Sequence, residues 1–225
     1  MSNNRRGESA KSSQNERTPL GDGQVPDTKK SGTPNDLLST NNLVTDGKLS
    51  GQRITYPILR GKIPIPAAER MAVFARIGDL IGSARFLDLC AGTGAIGIEA
   101  VSRGVQVCTF VERKLKRCEM IRENLQALGI KDGHGEVFEE EAVPFLKKMS
   151  RKRRFWDIVF WDPPHDTDYD DAFRFLAAGA VIRPEGKLLL RHHSEMFFES
   201  RIGRLKRRSV FEAESSSVSF FERYY

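Results

Sequence analysis

The sequence predicts an α/β fold: a doubly wound, seven-stranded, mostly parallel sheet of Rossmann-like type, closed by an antiparallel terminal hairpin. Three observations predict it. Short apolar runs alternate with helical patterns from residue 85 onward, which implies parallel strands covered by helices on both faces. The first apolar run, Phe86-Leu-Asp-Leu-Cys90, turns through Gly92-Thr-Gly94-Ala-Ile-Gly97 into a helix. The last two apolar runs are separated only by Ser-rich residues, which makes them an antiparallel pair.

Taken in order, residues 1–50 carry few large apolar side chains and many Ser, Asn, Thr, Gly and Pro. Such a segment cannot bury enough apolar surface to offset its ordering entropy, so it is expected to be a disordered tail. Residues 51–66 are short and Pro-punctuated, and predict an extended arm or hairpin with prolines at its edges. The domain proper is expected over 67–225. Its first helix, 67–81, shows Met71, Phe74, Ile77, Leu80 and Ile81 at helical spacing. Strands follow at 85–89, 106–112, 135–139, 157–161 and 186–191. Helices fall between them at 94–104, 115–128, 141–149 (with Pro144 tolerated in the first turn) and 170–178. A short helix is expected at 195–203, and the hairpin at 208–214 and 217–223.

Composition narrows the function. Charges nearly cancel in the tail (7 Lys and Arg against 6 Asp and Glu), so the net +6 belongs mostly to the folded part. That balance suits an acidic partner, with nucleic acid first among them. No secretory h-region follows the first basic residues, and no apolar stretch reaches the roughly 20 residues that span a bilayer. Cys90, Cys108 and Cys118 form no CxxC pair, which argues against zinc and against a disulfide framework, and fits a reducing cytoplasm. The sequence is silent on oligomeric state, with a monomer favoured.

The glycine turn admits two ligands. Gly92-x-Gly94-x-x-Gly97 with Glu112 twenty positions after Gly92 is also the dinucleotide fingerprint, and a strand-end Glu112 suits a ribose diol in either case. Asp88, at the tip of the first strand, separates the two. A carboxylate opposes the pyrophosphate that a dinucleotide brings to this turn. It favours the ammonium and sulfonium of S-adenosylmethionine.

Trp161-Asp162-Pro163-Pro164-His165 ends the fourth strand. In a doubly wound sheet this strand lies beside the first, and both carboxyl ends face one crevice. The prolines fix φ and supply carbonyls without N–H groups. A rigid, acceptor-rich turn suits an exocyclic amine, whose hydrogens can go to the Asp162 side chain and the Pro163 carbonyl. Positioning then supplies most of the rate, because the amine proton turns acidic only as the new C–N bond forms.

These residues resemble class I methyltransferases that modify exocyclic amines. More narrowly, Gly92-Thr-Gly-Ala-Ile-Gly-Ile-Glu-Ala-Val-Ser-Arg-Gly104 followed by Phe110-Val-Glu112 is similar to the RsmD family, which methylates N2 of a guanine in small-subunit (16S) ribosomal RNA. Arg60-Gly-Lys62-Ile-Pro-Ile-Pro66, Glu69-Arg70 and the hairpin 210–222 resemble its arm, first helix and closing strands, so the likeness runs from Gln52 to Tyr225. The resemblance implies that Asp88, Gly92 and Gly94 line the methionine end of the cofactor, that Glu112 holds the ribose, and that Glu141 with Ala142 meets the adenine amine. It implies that Asp162, Pro163 and Pro164 receive the guanine amine, with His165 where the family stacks an aromatic on the base. Ribosomal RNA or the small subunit is the implied partner. Three positions differ from the family pattern: His165, the acidic run Glu139-Glu-Glu141, and Ile65-Pro66-Ala67 in place of Arg-Pro-Thr. They leave open another amine target, such as adenine N6 of DNA, or a cofactor-binding RNA-interaction protein without activity.

Among the charges, Arg113 and Lys114 follow the second strand on the crevice side, and Arg60 and Lys62 lie on the arm. These four are the candidates for phosphate contacts. The denser run from Lys147 to Arg154 precedes the fourth strand, at the opposite end of the sheet, and is expected to be a solvated loop. His192 and His193 lie near the crevice without a carboxylate or cysteine at ligand spacing, so no metal is expected. Cys90 is expected to pack.

Overall fold

The computed structural model describes residues 42–55, 65–164, 167–213 and 216–225. Its sheet runs β3 (Gly135–Glu139), β2 (Val107–Glu112), β1 (Arg85–Leu89), β4 (Trp156–Trp161), β5 (Ile182–His193), β8 (Ser216–Arg223), β7 (Leu205–Glu212) and β6 (Arg201–Ile202) in spatial order. Strands β3 to β5 are parallel; β8, β7 and β6 are antiparallel to their neighbours. The order reverses between β1 and β4, the switch point at which ligand crevices open in such sheets.

Alternation along the strands sorts the core into two layers. Phe86, Phe110, Ile158 and Phe160 face α1 (Ala67–Ile77), α2 (Ala95–Ser102) and α3 (Leu115–Ala127). Leu87, Leu89, Val159 and Trp161 face α4 (Ala142–Arg151) and α5 (Tyr169–Leu176). Each of these side chains contributes about 1.5–3 kcal/mol by leaving water. Among the described residues no helix is long and apolar enough to cross a membrane.

The sheet has eight strands, not the expected seven. The added one is β6, which occupies part of the stretch 195–203 where a short helix was expected. Tertiary contacts override the local pattern there: Phe198 packs on Tyr169, Phe173 and His192, and Arg207 donates to the Phe198 carbonyl at 2.8 Å. The chain therefore stays extended and meets β7. Strand β5 starts earlier than its apolar run suggests, because Ile182 pairs with Trp156 before an irregular excursion that contains Glu185 at φ 64°. The first helix also ends sooner, at Ile77, and continues as one 3-10 turn over Gly78–Ile81.

The packed part begins before the composition-based boundary at residue 50. Val44 and Ile54 are buried, and Leu43 bridges Arg53. The amides of Thr45 and Asp46 donate to the fully buried carboxylate of Glu99 on α2 at 2.9 and 3.1 Å. Two apolar anchors and one buried acceptor suffice to seat an otherwise polar stretch. The rest of the expected tail, residues 56–64 of the arm with Arg60 and Lys62, and His165 lie outside the described residues.

Candidate active site

Strand alternation aims Asp88 at the layer in which α2 starts. Its carboxylate is 2% exposed and accepts the Gly97 amide at 3.0 Å. Gly97 is the third residue of α2, so Asp88 satisfies one of the orphan donors at the helix N-terminus. The N-cap itself is Gly94, at φ 75°, and offers no side chain for the purpose. Gly97 is needed for a different reason: a Cβ there would come within 2.2 Å of the Phe110 ring. The helix can lie this close to β2 only without a side chain.

Glu112 ends β2 and is 4% exposed. Its Oε2 accepts the Gly92 amide and its Oε1 the Lys114 amide, both at 3.0 Å, while Arg117 approaches to 3.7 Å. The two acids thus hold the glycine turn from both sides. A carboxylate has about four lone-pair directions, so Glu112 retains acceptor capacity for a diol.

Asp162 follows β4, and its amide donates to the Leu89 carbonyl at 3.2 Å. This bond places it beside Cys90 and the glycine turn. Asp88 and Asp162 line one small cavity of about 30 Å³, together with Ile65, Cys90 and Gly92. A volume of that size takes a group of one or two heavy atoms. Next to it lies a larger cavity of about 360 Å³, walled by Cys90, Glu112, Glu141, Ala142, Trp161 and Pro164. Cys90, at φ 68°, is common to both. Asp88, Gly92 and Asp162 are therefore brought together at one end, and Glu112, Glu141, Ala142 and Pro164 at the other; Pro163 is buried and lines neither cavity.

Arg113 and Lys114 also line the larger cavity, and Arg113 lies 3.8 Å from Glu141. They stand at the cavity rim. In the basic run before β4, Lys148 pairs with Glu140 and Arg154 with Glu136.

Several site residues were not singled out by the sequence reading. Arg191, at the crevice end of β5, lies 3.3 Å from Asp162 and 2.7 Å from Glu69 on α1. Burial works against its charge, but Glu69 and Asp162 outweigh that and hold the guanidinium charged beyond its ordinary range. A charge interrupting the apolar run of β5, and Glu69 in line with the buried Val73 and Ile77, were the available signals. Tyr169 packs on Trp161 at 5.4 Å, and burial, then the charges of Asp162 and Cys90, raise its pKa, so the phenol is neutral.

The family described as conserved hypothetical protein 95 matches residues 43–222. A Bacillus subtilis protein named "Putative rRNA methyltransferase YlbH" is 30% identical over 163 residues, covering 72% of this chain and 88% of its own. "Ribosomal RNA small subunit methyltransferase D" of Escherichia coli K12 is 31% identical over 131 residues, which is 58% of this chain and 64% of that protein. The solved structure of an Escherichia coli protein titled "Putative methyltransferase yhhF" superposes with a TM-score of 0.71 over 81% of this chain and 97% of its own, at 22% identity, and so bears on the fold alone. With the match spanning most of the described residues, the chain belongs to the conserved hypothetical protein 95 family, which is the RsmD family of methyltransferases.

Proposed function

We propose that this chain is an S-adenosylmethionine-dependent methyltransferase that modifies the exocyclic N2 amine of a guanine in small-subunit ribosomal RNA. The observation that carries the chemistry is the pair of carboxylates, Asp88 and Asp162, lining one small cavity between the glycine turn and the Asp-Pro-Pro turn. With Asp162 paired to Arg191, the buried carboxylate of Asp88 is the group that favours a cation here. The dinucleotide alternative loses its main support, because Asp88 already occupies the Gly97 amide at the helix N-terminus where a pyrophosphate would bind.

The cofactor fits the residues present. Asp88 and the glycine turn would hold its charged end, Glu112 its ribose, and Glu141 with Ala142 its adenine. When bound, it supplies an electrophilic methyl group on a positively charged sulfur. Asp162 and the Pro163 carbonyl accept the two amine hydrogens and so turn the nitrogen lone pair toward that group. Asp162 then receives the proton that the nitrogen sheds once its fourth bond has formed. By resemblance to the family, His165 would meet the face of the base. Arg113 and Lys114 at the rim, with Arg60 and Lys62 of the arm, would meet the phosphates. The small-subunit assignment is supported by the name of a relative, and the guanine target is consistent with the family.

Labelled donor offered to unmodified small subunits, free ribosomal RNA and DNA tests this reading. Label is expected in ribosomal RNA; label in DNA alone rejects the RNA assignment. Asp162→Ala is expected to abolish transfer while S-adenosylhomocysteine affinity, by calorimetry, stays within about threefold of wild type. Unchanged transfer would remove the mechanism. Tight NAD binding without S-adenosylhomocysteine binding would remove the cofactor.

A further inference from the structure

Backbone pairing to Leu89 fixes the main chain of Asp162 but leaves its side chain two rotatable bonds. Arg191 narrows that freedom. Its Nη1 lies 3.3 Å from Asp162 Oδ1. The guanidinium is itself clamped: Nε donates to Glu69 Oε1 at 2.7 Å, and Nη2 to Glu69 Oε2 at 3.4 Å and to Ser216 Oγ at 3.1 Å. Glu69 is 5% exposed and also accepts from the Ser216 hydroxyl at 3.3 Å. Three separate elements, α1, β5 and β8, thus converge on one planar fork. Glu69 and Ser216 fix one side of that fork, and the remaining nitrogen is presented to Asp162. The two-point fork to Glu69 fixes the orientation of the guanidinium, as a lysine point charge would not, and so fixes where its single contact to Asp162 Oδ1 is offered.

We propose that Arg191 is a positioning residue for methyl transfer: anchored by Glu69 and Ser216, it holds the Asp162 carboxylate in the orientation that accepts the target amine. The inference rests on Asp162 being the amine acceptor. Arg191 works through Asp162 and touches neither cofactor nor substrate. Misplacing a reacting group by about 1 Å can cost on the order of 10²-fold in rate, so the effect belongs in kcat.

The test is a double-mutant cycle on the full chain, read on whichever nucleic acid the wild type labels. Arg191→Gln is expected to lower kcat by about 10²-fold, with the KM for RNA and S-adenosylhomocysteine affinity within about threefold. Arg191→Lys should restore part of the loss. In an Asp162→Asn background, adding Arg191→Gln should cost less than about threefold more, because the group it orients is already altered. Should Arg191→Gln unfold by stranding the Glu69 charge, Glu69→Gln/Arg191→Gln removes that charge, and the same deficit in kcat must persist. Fully multiplicative losses in the cycle, a rise in KM alone, or wild-type kcat in the folded double variant would overturn the proposal. If the wild type labels DNA alone, the RNA reading fails while the cycle still decides Arg191. If it labels no nucleic acid, both fall.

Discussion

Asp88 does two jobs that one substitution can separate. Its carboxylate caps α2 through the Gly97 amide and also lines the small cavity with Asp162. Asp88→Asn keeps an oxygen that can accept the amide but loses the charge. It is expected to leave the urea midpoint near wild type and to weaken S-adenosylmethionine binding at least tenfold by calorimetry. Asp88→Ala should add a stability loss of about 0.5–2 kcal/mol, the cost of a lost cap. A second residue gives a pH dependence. Burial lowers the His192 pKa from its ordinary 6.5; the His193 carbonyl opposes this and the Arg207 charge adds to it. The ring donates Nδ1–H to that carbonyl at 2.8 Å and, in its neutral form, accepts from the Ser219 hydroxyl at 2.9 Å. The unfolded chain takes up this proton at higher pH than the folded one. The corresponding stability is present above about pH 6.5 and is lost as pH falls through the folded-state value. Urea midpoints measured from about pH 7.5 to about pH 5.5 should fall, and fall less steeply in His192→Asn.

At the scale of the element, the β1–turn–α2 unit is the most demanding piece. Gly97→Ala must push α2 away from Phe110 and Cys108, and is expected to cost about 1–3 kcal/mol in urea unfolding while altering the turn that binds the cofactor. This unit was also the most legible in the sequence, because its apolar strand, terminal acid and spaced glycines lie within twelve consecutive residues, 86–97. The other parallel strands were legible for the same reason. What was not legible depends on distance along the chain. Glu69 and Arg191 are 122 positions apart, and no local pattern pairs them. The stretch before β6 reads as a helix until Phe198 is known to insert beside Tyr169. The seat of Val44 and Ile54 requires the Glu99 carboxylate, which looks in sequence like an ordinary helical surface acid.

For the whole molecule, that seat ties the first described residues to the domain. Glu99 receives Thr45 and Asp46 from one side, and Arg103 at 3.1 Å and Arg70 at 3.6 Å from the other. Arg70, buried on α1, in turn donates to the carbonyls of Leu43 and Ile65. A chain started at residue 56 leaves Glu99 paired with Arg70 and Arg103 but takes from it the Thr45 and Asp46 amides, takes the Leu43 carbonyl from Arg70, and uncovers the apolar side chains beneath Val44 and Ile54. It is expected to lose about 3–5 kcal/mol of stability, read as a lower urea midpoint, compared with a chain started at residue 42. The helix N-terminus beside the crevice has a wider consequence. Internal carboxylates already knit the turn together, so the berth exists before any guest arrives. Docking then involves little reorganisation, and the gain in melting temperature should follow simple mass action in guest concentration.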